Sequence, residues 1–574
     1  MRIHSTQPIL KKRAQQDEQI ERAIAALSGR DASADEKILS ASVEDLARMI
    51  RDRRATVAQV VGAFSERALK GHAEFNFLTE VMIAEAMKQA REMDENRPKK
   101  IPPLYGIPMS IKDNVDVKGF DTCYGFSSLT FKPAQQDAHI VQVLRSLGAI
   151  FIVKTNVPQT LMAFDSDNPV FGATSNPFNK KLIPGGSSGG EAAVLAYNGA
   201  AFGWGSDIGG SLRIPAGFCG NYALKPTHGR FPTVGCSPHS TRGQIAIVAV
   251  AGPMARSMKD LEYVTRIFLN VDISDMDPAL QYSPYKDVKI HRKLRFGYYT
   301  DDGIVRSSPA VHRSIQETVD ALRKEGHEVF PFQPPRMIDA VRIYFGIMGS
   351  DNLRTLTKHV APDPYSAAVG GFVKLLRIPL IVRRIVGWIA SYYQQDVVAA
   401  IVGTNSNCDV TQMWEIQDEL RQYKLDFWEA WKAAASSDGT AMDGIIAPVQ
   451  SIPPGAHGST EKTGSAAVST YLYNMLDYTA GVVPGSVVDP SKDKPADEKW
   501  FAGRSKGWLE SIVYKYYDPV VQENAPLGIQ VVGRMSEEEK VVDEALEKHG
   551  RKKALGPDGF LMVAYLTSSA EDRG

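Results

Sequence analysis

The stretch SDIGGSLRIP, Ser206–Pro215, brings an acid, two adjacent glycines, a serine and an arginine together. Adjacent glycines let the backbone turn tightly and leave nothing between their N–H groups and a ligand. Ser211, directly after them, would stand at the mouth of that donor cluster. The same residues would equally make a plain surface turn, since Asp, Gly and Ser are common turn formers. The choice rests on what the rest of the chain supplies.

The chain has 574 residues, enough for one large core or a few domains. Lysine plus arginine number 66 and aspartate plus glutamate 66, so the net charge is zero. That balance argues against a nucleic-acid partner, which would need a basic surplus to release counterions. The four cysteines, Cys123, Cys219, Cys236 and Cys408, are far apart and form no C-x-x-C pair. Neither a disulfide framework nor a structural zinc site is expected, and a reducing compartment is. The opening MRIHSTQPILKKRAQQDEQIERAIAAL is polar and charged, with no apolar run resembling a signal peptide or membrane span. It reads as a helix solvated on most faces, and the chain as intracellular.

Residues 1–95 alternate helical patterns with charged breaks, as in SVEDLARMIRDR and TVAQVVGAFSERAL. From Leu104 the character changes. LYGIPMSIKDNV reads as a buried strand running into a loop, and AHIVQVLRSLGAIFIVKTN as a helix, a glycine stop and an apolar strand. The alternation recurs in LRFGYYTDD and AVHRSIQETVDALRKEGHEVFPF. This is an α/β pattern, with helices covering a parallel or mixed sheet. Asn176 to Thr227 is crowded with Gly and Ser yet bounded by apolar segments, which suits close approach of backbone to a ligand.

PGGSSGGEAAVLAY, Pro184–Tyr197, contains a formal G-x-S-x-G, but a nucleophile elbow needs a strand just before it. The preceding NPFNKKLIP has two prolines and three polar residues in a row, a poor strand. A phosphate loop lacks its lysine. A Gly-rich helix start capped by Ser188 accounts for the segment without any chemistry. Lys112, in GIPMSIKDN, would on general grounds be a snorkelling surface residue. Buried, it would lose its proton easily and become a candidate general base.

Taken together, SIKDN, PGGSSGGEAA and SDIGGSLRIPAGFCGNYALKPTHGR resemble the amidase signature family, hydrolases with a Ser-cisSer-Lys triad. TNVPQTLMAFDSDNPVFGATSNPF, GPMARS and LRFGYYTDDG are similar to the fatty acid amide hydrolase branch of that family. The resemblance implies an α/β fold with a large twisted mixed sheet covered by helices on both faces. It implies a catalytic domain over 96–574, with 1–95 a helical region packed on it. Ser211 is then the nucleophile, Ser187 the cis-serine and Lys112 the base. The N–H groups of Ile208, Gly209, Gly210 and Ser211 line the oxyanion hole, with Ser188, Asp207 and Arg213 in support. No cofactor and no metal is implied.

The substrate is read from SAAVGGFVKLLRIPLIVRRIVGWIASYYQQDVVAAIVG, Ser366–Gly403. Two apolar helical pieces break at Pro379, too short and too basic to span a bilayer twice. A buried hairpin is one reading. An interfacial membrane cap is the other, with Lys374, Arg377, Arg383 and Arg384 toward headgroups and Leu380, Ile381 and Trp388 among the apolar contacts. By position the segment corresponds to the membrane cap of that branch, although the branch's N-terminal membrane segment has no counterpart here. The leading expectation is a small-molecule N-acyl amide substrate with an apolar acyl chain, peripheral attachment to an internal membrane or a cytoplasmic location, and a homodimer. A broad small-amide or aryl-amide hydrolase and the amidase subunit of a transamidation complex are the alternatives.

Overall fold

The computed structural model describes residues 2–542 apart from 237–240, 289–291, 438 and 502–506. An eleven-stranded sheet organises the chain. In chain order its strands are β1 (Leu78–Val81), β2 (Pro108–Lys112), β3 (Ile150–Thr155), β4 (Phe202–Asp207), β5 (Tyr222–Lys225) and β6 (Val250–Ala255). They continue with β7 (Arg295–Tyr298), β8 (Glu328–Pro331), β9 (Gly444–Pro448), β10 (Ala480–Val487) and β11 (Pro526–Val532). Across the sheet the order is β1-β3-β2-β4-β6-β5-β10-β11-β9-β7-β8. β2 runs parallel to β3 and β4, and β7 parallel to β8 and β9, while the other neighbours are antiparallel. The sheet is therefore mixed. Every residue of β2, β3, β4 and β6 is buried, as expected of strands covered on both faces.

The segment 1–95, read as helical, contributes β1 to one edge of this sheet, paired with β3. Its first helix, α1 (Arg2–Leu27), is not simply solvated. One face buries Lys12, Gln16, Ala23 and Leu27. Lys12 forms ion pairs with Glu80 and Asp121, the latter at 2.7 Å, and Gln16 donates to the carbonyls of Leu78 and Thr79. A lysine spaced as a surface residue is thus desolvated, but its charge is matched by two buried carboxylates. Local sequence does not reveal those partners, because they lie far along the chain.

Candidate active site

β2 and β4 are parallel neighbours, so their carboxyl ends bring Lys112 and the Ser206–Asp207 end of β4 to one rim of the sheet. Lys112 is fully buried. Its Nζ lies 2.8 Å from Ser187 Oγ, 3.0 Å from Ser206 Oγ and 3.3 Å from Ser206 O. No carboxylate among the described residues is within ion-pair distance of it. Burial pulls the ammonium down to about 7, against the opposing pull of Asp207 and Glu191.

Ser187 follows a cis peptide bond, Gly186–Ser187. A Cβ at Gly185 would lie 2.6 Å from Pro215 Cα, so the two Gly-rich loops meet backbone to backbone. Ser188 N donates to Ser211 O at 3.1 Å and stitches them together. Ser187, Ser206 and Ser211 consequently line one recess, with Leu161, Met162, Ile208 and Ala249 forming apolar wall. Ser188 sits at the N-cap of α2 (Gly189–Ala196), but its hydroxyl does not cap the helix. It points to Ser206 O, 3.4 Å away. The capping expectation is corrected: the hydroxyl turns toward the loop that carries the other serines.

Asp207 organises the stretch that opened the analysis. Its carboxylate accepts from the N–H groups of Gly210 at 2.8 Å and Leu212 at 3.0 Å. It also accepts both arms of the Arg213 fork at 3.0 Å and Asn474 Nδ2 at 2.9 Å. Arg213 begins α3 (Arg213–Phe218) and donates further to Gln530 and Asn474. Burial alone would push Asp207 upward, but Arg213 and these donors hold its carboxyl well below the usual range.

This arrangement corrects one expectation. The Gly210 N–H is taken by Asp207, so it is not free for a ligand. The N–H groups of Ile208, Gly209 and Ser211 have no acceptor among the described residues. Gly210 is required at φ +121°, and a Cβ at Gly209 would lie 2.6 Å from Tyr344 Oη.

The hairpin contains α4 (Ala367–Arg377), α5 (Leu380–Tyr392) with Pro379 at its N-cap, and α6 (Asp396–Val402). Ile381, Ile385 and Trp388 are exposed, at 67%, 53% and 72%, and Leu380 is half-buried. Lys374, Arg377 and Arg384 are also exposed. Arg383 is not: it is 1% exposed and cannot meet headgroups. Its guanidinium donates to the carbonyls of Ile378, Val402 and Thr404 and to Ser406 Oγ, tying α5 to the chain beyond α6. Adjacent arginines point to different sides of a helix, and here one side faces protein.

Several site residues escaped the sequence reading. Ser206 lies inside the quoted stretch, but nothing local marks its hydroxyl as a partner of Lys112. Asn474 and Gln530 belong to no motif, and Asn114 reaches Ser206 Oγ at 3.1 Å only because of the fold.

Lys112 thus reaches Ser187 and Ser206 at one rim of the sheet, in a recess that Ser211 shares with bare backbone donors. A family model described as Amidase matches residues 59–542, and the chain belongs to the amidase signature family. It is similar to an acetamidase of Aspergillus oryzae, 32% identical over 517 residues and 88% of each chain. It is 31% identical to fatty acid amide hydrolase 1 of Caenorhabditis elegans over 91% of this chain and 90% of the relative. A solved fatty acid amide hydrolase superposes with a TM-score of 0.78 at 29% identity, covering 92% of this chain and 89% of that one.

Proposed function

We propose that the protein hydrolyses N-acyl amides bearing a long apolar acyl chain, through Ser211, Ser187 and Lys112. The observation that carries the mechanism is Lys112, fully buried, 2.8 Å from Ser187 Oγ. A serine hydroxyl is a weak nucleophile until a base takes its proton. Neutral Lys112 accepts the Ser187 proton while Ser187 accepts that of Ser211. Ser211 Oγ then bonds to the carbonyl carbon, and the oxyanion meets the N–H groups of Ile208, Gly209 and Ser211. The relay runs backward to protonate the leaving nitrogen as the C–N bond breaks, which an amide requires. Water repeats the cycle on the acyl-enzyme and releases the acid.

The acyl preference is supported by the exposed face of α5. Ile381, Ile385 and Trp388 beside Arg384 suit a surface resting on a lipid interface, from which a long-chain amide would arrive. No helix among the described residues is long and apolar enough to cross a membrane, so attachment of this segment would be peripheral. The small-amide reading keeps a specific support, since relatives of comparable identity include acetamidases. Two measurements test the proposal. A fluorophosphonate should label Ser211, and hydrolysis should rise along a series from acetyl to oleoyl amides. A rate that peaks at acetyl transfers the substrate assignment to small amides.

A further inference from the structure

The mechanism leaves one buried ionisable group beside the base unused. Glu191, on α2, is completely buried. Its Oε2 accepts from Ser110 Oγ at 2.7 Å and its Oε1 from Thr155 Oγ1 at 2.6 Å. A Cβ at Gly203 would collide with Oε2, so this position of β4 is kept clear for the carboxyl. Ser110 precedes Lys112 by two residues and therefore shares its face of β2. Thr155 is the register partner of Lys112 on β3, and Gly203 that of Ser110 on β4. The carboxyl thus lies over three strands, one pleat from the amine.

We infer that Glu191 is a positioning residue for catalysis: its carboxylate sets, through space, the pH at which Lys112 becomes a free base. The inference rests on Lys112 being that base. The other charged groups around α2 have partners of their own, although Asp207 also pulls on Lys112. Lys154 alternates to the opposite face of β3 and donates to Asp121 O and Thr122 Oγ1. Asp207 is paired with Arg213. Arg256, just after β6, donates to the carbonyls of Leu39, Ala41 and Ala201, and Arg67 to that of Tyr197. Lys225 on β5 donates to Pro226 O.

Glu191 accepts from two hydroxyls, and Lys112 is held by two hydroxyls and a carbonyl. Burial raises the Glu191 carboxyl to about 7 and lowers the Lys112 ammonium to about 7, and the charge of each opposes the shift of the other. A negative Glu191 holds the proton on Lys112. Removing that charge frees the amine at lower pH.

The test is the pH dependence of kcat/KM on an acyl p-nitroanilide, with native enzyme, Glu191→Gln, Glu191→Asp and Lys112→Ala. Glu191→Gln should move the ascending limb down by about half a pH unit or more, raising activity several-fold on its acid side. Glu191→Asp keeps the charge and should leave the limb close to native. If Gln does not fold, Thr155→Val removes one donor to the carboxylate and should shift the limb the same way by less. An unmoved limb in the Gln or Val variant, or an equal shift in Asp, overturns the inference. An unchanged rate in Lys112→Ala fails instead the reading of Lys112 as base.

Discussion

The two Gly-rich loops and the hairpin at 366–403 treat side chains in opposite ways. At the loops every polar group is buried: Lys112, Ser187, Asp207 and Arg213 are nearly inaccessible. There the charges meet fixed partners, as buried charges must. On the hairpin, large apolar residues stand in solvent, and among the basic ones a single arginine, Arg383, is drawn inside. Chemistry needs desolvation and preorganisation, so its residues are held from all sides. The contrast teaches that burial of a charged residue does not by itself mark chemistry: Lys112 reaches the serines, whereas Arg383 ties α5 to backbone carbonyls.

The largest effect that could break this contrast is at Ser211. Ser211→Ala should abolish fluorophosphonate labelling and lower kcat/KM on the order of 10⁴–10⁶-fold, with melting temperature retained. Labelling that persists at Ser187 would reverse the nucleophile assignment. Lys112→Ala should slow amide hydrolysis by about 10²–10⁴-fold, and ester hydrolysis less, because an alkoxide leaves with less help from a proton. The active form is the neutral amine, so native activity should climb as pH rises through the buried lysine's value of about 7, far below the ordinary 10.5. A limb above pH 9 would mean that Lys112 is solvated.

The hairpin predictions are smaller and separate its two sides. Arg383→Ala removes the donors to three carbonyls, that of Thr404 buried and those of Ile378 and Val402 partly so, and should destabilise the fold by about 2–4 kcal/mol in a urea titration. Arg384→Ala should stay within about 0.5 kcal/mol in the same titration. Equal losses would erase the distinction between the two. Replacing Ile381, Ile385 and Trp388 by serine should reduce liposome co-sedimentation and oleoyl-amide hydrolysis by at least tenfold, since tenfold is only about 1.4 kcal/mol, less than the roughly 1.5–3 kcal/mol for fully burying one such side chain. Acetyl-amide hydrolysis should be unaffected. Parallel losses on both amides would return the hairpin to ordinary structure. On anionic vesicles Arg384→Ala should weaken binding about fivefold at low salt, from the roughly 1 kcal/mol carried by one cation near the surface.

Residue order alone determined the α/β alternation, the strands at Pro108–Lys112 and Ile150–Thr155, and the three motifs that identify the family. These are short-range features: apolar runs, glycine stops and loops whose donors and hydroxyls are neighbours in sequence. The same local logic predicted a break at Pro379. Tertiary structure decided what each charge meets. Lys12 and Arg383 carry no local mark of burial, and their carboxylate and carbonyl partners lie elsewhere in the chain. The N–H of Gly210 was claimed by Asp207, three residues earlier, through a turn geometry that composition does not specify. Glu191 reads as an ordinary helix residue until three strands close beneath it. Periodicity and turn chemistry are properties of adjacent residues, whereas desolvation and pairing depend on segments that only the folded sheet brings together.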